Sequence, residues 1–383
     1  MTALFTPIRL REITARNRVV IAPMWQYRGI DWMPTDWHLI HLGRFAAGGA
    51  GIVFQEATAV ERRGCGTVGD LGIWDDSFTP ALSRIAHAIK EFGAVPAIQL
   101  GHAGRKSRTM LPMHGREELV QTPEIEYWDE WEPIAPSAVP IHDGWQAPRA
   151  MTLADISVVI DSFVAATRRA AQAGYEILEV HGAHGYLLNQ FLSRHTNHRT
   201  DAYGGTDSRR ARLLYEVVEA VRAEWPQHLP LFVRLSCVDR SGWTMDDTVR
   251  VSRELKSLGV DVIDCSSGGI KGSPVAPGGT LNYGYQLPYS DRVRKEVGIR
   301  TMAVGLIVHP EQAERALQSG QADLIALGRE ALQNPNWAFD AALKLDADTP
   351  YSLLAETTGF WLEKRAEAVP GLVPSTFTTG GAR

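Results

Sequence analysis

Residues 301–328 read TMAVGLIVHPEQAERALQSGQADLIALG. An apolar run, TMAVGL (301–306), leads into an amphipathic stretch that starts at Pro310 and stops at Gly320, and a second apolar run, ADLIALG (322–328), follows. Proline suits the first turn of a helix, where its missing N–H costs nothing, and glycine suits the turn that ends one. Near-continuous apolarity over about five to eight residues is what a parallel strand covered on both faces needs. The stretch therefore predicts strand, helix, strand, with both strands in one buried parallel sheet.

The same alternation runs outward over the chain. Six more apolar runs read VVIAP (19–23), GIVFQEA (51–57), AVPAIQL (94–100), YEILEVH (175–181), LFVRLS (231–236) and VDVIDCSS (260–267). Helical spacing is clearest in LADISVVIDSFVAATRRAAQAG (153–174), with Gly174 placed to stop it, and recurs in RRARLLYEVVEAVRAEW (209–225) and DDTVRVSRELKSLG (246–259). Eight strands, each followed by a helix or room for one, predict a closed (β/α)8 TIM barrel of the α/β class. An open doubly wound sheet is the second choice, and eight regular repeats fit closure better. Residues 1–18 are expected to cover the barrel floor. Long loops follow strand 3 (101–150), strand 4 (182–208) and strand 6, and in a barrel all three lie on the C-terminal face with the active site. One domain is expected over 1–365, with 366–383 as a C-terminal tail.

The chain has 383 residues, 44% hydrophobic, enough for one large core, and a net charge of −5. No basic excess exists to neutralise a phosphate backbone, which argues against nucleic acid as partner. No apolar run reaches the roughly 18 residues of a membrane span, and the first twenty residues lack a signal peptide's apolar segment. Three cysteines, Cys65, Cys237 and Cys265, form neither a disulfide scaffold nor a close-spaced metal pattern, so a cytoplasmic protein without a structural metal is expected.

Strand ends carry the chemistry. Strand 4 runs out in EVHGAHGYLLNQFLS, where His181 and His184 can aim two imidazole N–H groups at one ligand oxygen and Tyr186 can supply a proton. The same histidines could instead be structural, or hold a metal, though no carboxylate or cysteine nearby completes a ligand set. Arg234 lies inside LFVRLS, and a charge in so apolar a strand needs an anionic partner. A bound anionic ring or phosphate would provide one; so would a protein carboxylate. Gln99 ends strand 3 with an amide that both donates and accepts. Glycines end strands 7 and 8, so that backbone N–H groups near Gly305 and Gly328, with Arg329, make a phosphate site of the common barrel kind. No Walker or Rossmann glycine pattern follows a strand. On these residues alone the chain is a barrel enzyme with a phosphorylated ligand, two histidines and a buried arginine.

The segments NRVVIAPMWQY, GIVFQEATAV, IQLGHAGRKS, EVHGAHGYLLNQFLSRHTNHRTDAYGGT, LFVRLS, DVIDCSSGG, AVGLI and ADLIALGREAL, in this order, resemble the Old Yellow Enzyme family in its thermophilic-like bacterial branch. The resemblance spans roughly Leu4 to Gln333. It implies one non-covalent FMN, with Pro23, Met24 and Ala57 along the ring system, Gln99 and Arg234 at its pyrimidine edge, and Gly305, Gly328 and Arg329 at its phosphate. It implies that His181 and His184 bind the activating oxygen of a substrate, that Tyr186 protonates it and that Tyr27 touches it. The implied reaction is ping-pong reduction of an activated alkene by NADPH or NADH in a homo-oligomer, dimer or tetramer. Trp361 or Arg365 would reach a neighbouring subunit's site. The branch usually carries a cysteine where this chain has Trp25, which either enters the substrate site or packs aside with Trp32 or Trp37. Reduction of an aryl- or enoyl-thioester and oxidative demethylation of an amine are rival activities of the scaffold. A phosphosugar lyase would need a strand-end lysine or carboxylate that is not evident, and an inert flavin binder would not be bleached by NAD(P)H.

Overall fold

The computed structural model describes residues 2–271, 281–369 and 371. All eight expected strands form: β1 (Val19–Ile21), β2 (Ile52–Ala59), β3 (Val95–Gly101), β4 (Ile177–Gly182), β5 (Leu231–Ser236), β6 (Val262–Ser266), β7 (Arg300–Ala303) and β8 (Leu324–Leu327). Each pairs in parallel with the next, and β8 returns to β1 in the register Leu327↔Ile21, which closes the barrel. Parallel neighbours need crossovers. They are made by α1 (Asp36–Ala47), α2 (Thr79–Glu91), α3 (Leu153–Ala173), α4 (Leu187–Leu192), α5 (Asp207–Glu224), α6 (Met245–Ser257), α7 (Leu287–Val297) and α8 (Pro310–Gln318), and α9 (Arg329–Gln333), α10 (Trp337–Lys344) and α11 (Glu356–Ala368) follow the last strand.

Local chemistry sets the helix ends. Thr152 caps α3 by accepting from the Asp155 N–H at 3.1 Å, while the Asp155 carboxylate accepts from the Thr152 N–H at 2.8 Å. Gly174 follows in the left-handed conformation, φ 91°, and its N–H returns to the last turn. Inside the barrel, strand alternation stacks Ile52, Phe54, Ile177, Phe232, Val262 and Leu324 into one apolar cluster. Ile8, Leu10 and Ala15, from an antiparallel hairpin near the N-terminus, join that cluster and close the floor as expected.

The loop after β3 is long but anchored. Trp131 is fully buried and donates its indole N–H to the Cys65 carbonyl at 2.8 Å. Trp32 packs against Trp131, Trp74 and Tyr127 with ring centroids 5.8, 5.4 and 4.4 Å away. In the loop after β6, residues 272–280 lie outside the described residues, as does the expected tail apart from the end of α11 and Gly371. The last helix itself runs past residue 365, into the expected tail. Among the described residues no helix is long and apolar enough to cross a membrane.

Candidate active site

A cavity of about 1130 Å³ opens at the C-terminal ends of the strands. The end of β1 contributes Pro23, Met24, Trp25 and Tyr27, β2 contributes Ala57, and β3 contributes Gln99. A register shift between Gln55 and Thr58 marks a bulge in β2 beside Ala57, the kind of irregularity that re-aims residues at a barrel rim. His181, His184 and Tyr186 follow from β4, Arg234 from β5, Gly305 from β7, and Gly328 with Arg329 from β8. Every expected site residue but Trp361 and Arg365 therefore faces a single space. Trp361 does not line it: it stands on α11, 66% exposed, next to the half-exposed Phe360.

His181 Nδ1 accepts from the Ala183 N–H at 3.3 Å, which leaves the proton on Nε2. That Nε2 lies 3.4 Å from His184 Nδ1, and His184 Nε2 lies 2.7 Å from the Ser266 hydroxyl. The two rings are thus hydrogen-bonded to each other: with the His181 proton on Nε2, His184 Nδ1 accepts and His184 Nε2 donates to the Ser266 hydroxyl. Burial holds both imidazoles well below the usual histidine range, with Arg234 and Lys106 adding to the effect, so both rings are neutral. Among the described residues no group of three or more His, Cys, Asp or Glu gathers to hold a metal.

Lys106 braces this corner. Its ammonium donates to the His184 carbonyl at 2.7 Å and the Gly269 carbonyl at 2.8 Å. Burial lowers its pKa to about 7. The two loops it joins approach so closely that a Cβ on Gly269, φ 109°, would stand 2.2 Å from the His184 carbonyl carbon. His184 itself has φ 58°, a left-handed conformation that a non-glycine residue keeps only when its surroundings enforce it. Lys106 Nζ also lies 5.2 Å from the Tyr186 ring centroid. Burial raises the Tyr186 pKa well above its ordinary value and pushes Tyr27 up to about 12, so both phenols stay protonated at neutral pH.

Trp25 turns into the cavity rather than towards Trp32 or Trp37. Its ring lies edge-on to Tyr186 at 4.9 Å, nearly parallel to Tyr27 at 6.3 Å, and 6.2 Å from His181. Its indole N–H is buried with no partner. Trp37 instead donates to Gln26 and stacks on His41, and Trp32 belongs to the aromatic cluster of the β3 loop.

Beneath the cavity the barrel interior is charged. Arg234 Nε stands 2.8 Å from Asp264 Oδ2, without the alignment of a hydrogen bond. Of the two partners open to Arg234, a protein carboxylate is thus already present, and a bound anion is not required to explain its burial. Glu179, fully buried, accepts from Gln99 Nε2 at 2.7 Å. Burial raises the Glu179 pKa well above the carboxylate range and brings Asp264 to about 6, with Arg234 opposing both. Sequence reasoning missed Glu179, Asp264, Ser266 and Lys106. The first two carry the same signal as Arg234, a charge in an apolar strand.

A model of the NADH:flavin oxidoreductase / NADH oxidase family matches residues 3–348. The NADPH dehydrogenase of Geobacillus sp. (strain WCH70) is 42% identical over 348 residues, 90% of this chain and 95% of that protein. The solved Old Yellow Enzyme homologue from Zymomonas mobilis is 29% identical with a TM-score of 0.73, covering 90% of this chain and 93% of its own. The structure of 2-naphthoyl-CoA reductase with 2-naphthoyl-CoA gives a TM-score of 0.78 at 26% identity over 93% of this chain, which spans only 54% of that longer one. Since these matches run through every strand that lines the cavity, the chain belongs to the NADH:flavin oxidoreductase / NADH oxidase family, the Old Yellow Enzyme family, in its thermophilic-like bacterial branch.

Proposed function

We propose that the protein is an FMN-dependent ene-reductase that reduces activated alkenes, such as enones and nitroalkenes, at the expense of NADPH or NADH. The observation that carries this reading is the convergence of His181 Nε2 and His184 Nδ1, 3.4 Å apart, on the cavity that also holds Gln99 and Arg234. An oxygen that replaces this ring–ring contact takes an N–H from each imidazole, with Ser266 then donating to His184 Nε2, and two such donors suit a carbonyl or nitro oxygen that gains negative charge during reaction. Tyr186, protonated at neutral pH and beside that point, is the proton donor to the substrate's α carbon. Tyr27 and Trp25 bound the substrate from the β1 side.

The cavity fits FMN. Arg234 offers donors and no acceptor at one end, and its Nε has no aligned hydrogen bond. At the other end the backbone is bare. A Cβ on Gly305, φ 118°, would come 2.7 Å from Gln286 Nε2, and Gly328 has only the Met24 sulfur nearby, at 3.8 Å from where its Cβ would be. Gly305, Gly328 and Arg329 would hold the phosphate, Gln99 and Arg234 the pyrimidine edge, and Pro23, Met24 and Ala57 the ring face. FMN when bound supplies hydride transfer between nicotinamide and the alkene's β carbon, while the protein orients the substrate and stabilises its charge. The NADPH dehydrogenase from Geobacillus supports NADPH as the donor.

The exposed Phe360 and Trp361 on α11 support a homo-oligomer, dimer or tetramer, in which Trp361 or Arg365 meets a neighbour's cavity. Three buried free cysteines accord with a cytoplasmic protein. Reduction of a CoA thioester is the second reading, favoured by the basic Arg116 and Lys271 along the cavity and by the likeness to 2-naphthoyl-CoA reductase. Anaerobic reduction with each nicotinamide, followed by reoxidation with enones, nitroalkenes and acyl-CoA thioesters, separates the two. Fast reoxidation by enones is expected. No bleaching by either nicotinamide, or reoxidation by thioesters alone, would replace the first reading.

A further inference from the structure

Three ionisable side chains lie inside the barrel under the cavity: Glu179 on β4, Arg234 on β5 and Asp264 on β6. Strand alternation puts them on the inner face, two residues on from the core residues Ile177, Phe232 and Val262. Arg234 is matched by Asp264. Glu179 has a different neighbour. Its Oε1 accepts from Gln99 Nε2 at 2.7 Å, and its Oε2 is buried without a partner. Gln99 is 2% exposed and lines the cavity above.

A glutamine amide has nearly the same shape either way round, but one orientation offers an acceptor where the other offers a donor. Burial favours the protonated acid and Arg234 opposite favours the carboxylate, and a carboxylate oxygen can only accept. With Oε1 of Glu179 on one side, Gln99 must turn its NH2 group inward and its carbonyl oxygen away. We propose that Glu179 is a positioning residue that locks the Gln99 amide with its oxygen towards the cavity, where it serves as the hydrogen-bond acceptor for a ring N–H of the bound cofactor. The inference rests on the reading that the pyrimidine edge of FMN lies against Gln99. That edge alternates carbonyl oxygens with one N–H. Arg234 can serve only the oxygens, because a guanidinium has no acceptor. The N–H needs an acceptor, and an unlocked Gln99 would present its NH2 group there part of the time.

A second role could explain the same burial: Glu179 could simply balance the charge of Arg234. Two substitutions separate the roles. Glu179→Gln removes the charge and adds an N–H donor beside the oxygen, whereas Glu179→Met removes every polar atom. Wild type, both variants, Gln99→Met and each Glu179 substitution combined with Gln99→Met are stripped of flavin. Their FMN dissociation constants are measured by quenching of flavin fluorescence, and the flavin absorption bands and reduction potential of each are recorded after reconstitution. Positioning predicts that Glu179→Met binds FMN about tenfold more weakly, the size of one net hydrogen bond, with shifted bands and potential. Glu179→Gln, which can donate as well as accept, also weakens binding, and neither substitution adds anything in the Gln99→Met background. An undiminished effect of Glu179→Met without Gln99 would overturn the proposal in favour of charge balance, and wild-type affinity and bands in Glu179→Gln would show that an acceptor-only neighbour is not needed. Should Glu179→Met not fold, Glu179→Gln replaces it in both backgrounds: a loss confined to proteins that keep Gln99 supports the lock, and wild-type affinity, or an undiminished loss without Gln99, rejects it. Failure of the wild-type protein itself to bind FMN would instead remove the cofactor reading, and the inference with it.

Discussion

The two ends of the barrel interior are built from the same strands and differ in almost every other respect. At the floor, Phe54, Ile177, Phe232, Val262 and Leu324 pack with the N-terminal hairpin into a cluster of apolar side chains. Two residues further along β4, β5 and β6 stand Glu179, Arg234 and Asp264, and two further along β4 stands His181. In this upper half Glu179 Oε2 and Trp25 Nε1 are buried without a hydrogen bond, and Arg234 faces Asp264 as an ion pair without an aligned one. Buried polar groups without partners are costly, so the upper half weakens the fold that the lower half secures. Stability and chemistry are thus separated by about two residues of strand, roughly 7 Å at 3.3 Å per residue.

The separation can be broken from either side. Phe232→Ala empties a floor position whose ring lies 6.0 Å from that of Phe54, and should cost about 3–5 kcal/mol of stability by denaturant unfolding. The fraction that remains folded should keep its affinity for phenolic ligands. A loss below about 1 kcal/mol would mean that the floor is not a tightly packed core. Arg234→Ala should destabilise by a similar amount, about 3–5 kcal/mol, because it leaves Asp264 buried and unpaired. Arg234→Met/Asp264→Leu should recover most of that stability while FMN affinity stays low. If the double variant regains FMN, the arginine serves only its carboxylate.

At the mouth the effects should fall on chemistry instead. Removing His181 or His184 should slow reoxidation by enones about 10²-fold, as for one lost oxyanion donor, with little change in FMN content or unfolding midpoint. An unaltered enone rate in His181→Ala/His184→Ala would end the assignment. The smallest expected effect belongs to Trp25. The indole occupies the space between Tyr27 and Tyr186, so Trp25→Cys should admit bulkier ring-substituted cyclohexenones, by about tenfold in relative kcat/KM, and shift the flavin potential. A variant with unchanged substrate profile and potential would show that the indole does not bound the substrate.

Legibility differed in the same way between the two halves. The strand LFVRLS occupies the expected residues, 231–236, and the helix at Pro310 starts where its proline says it should. Both follow from local rules of periodicity and capping that need no distant partner. Arg234 was conspicuous for the same reason, as a charge among apolar neighbours. Glu179 in YEILEVH and Asp264 in VDVIDCSS were equally out of place by that rule. They drew less notice because each shares its run with a second carboxylate, Glu176 or Asp261, that reads as an ordinary strand boundary. Ser266 and Lys106 carried no signal, since a serine among serines and a lysine in a loop are common anywhere.

What the sequence determined alone was the order and number of strands and helices, the closure of the barrel, and the residues at the strand ends. Each of these depends on patterns a few residues long. The tertiary structure decided the partners. Arg234 meets Asp264, thirty residues later, because parallel closure lays β5 beside β6 in the register Arg234↔Asp264. His184 meets Ser266 because the loops after β4 and β6 converge under the Lys106 ammonium. Trp25 faces the cavity because Tyr186 and His181, more than 150 residues away, form the wall it packs against. Hydrogen bonds and ion pairs act over about 3–4 Å, a distance that sequence separation does not encode and that only the closed barrel fixes.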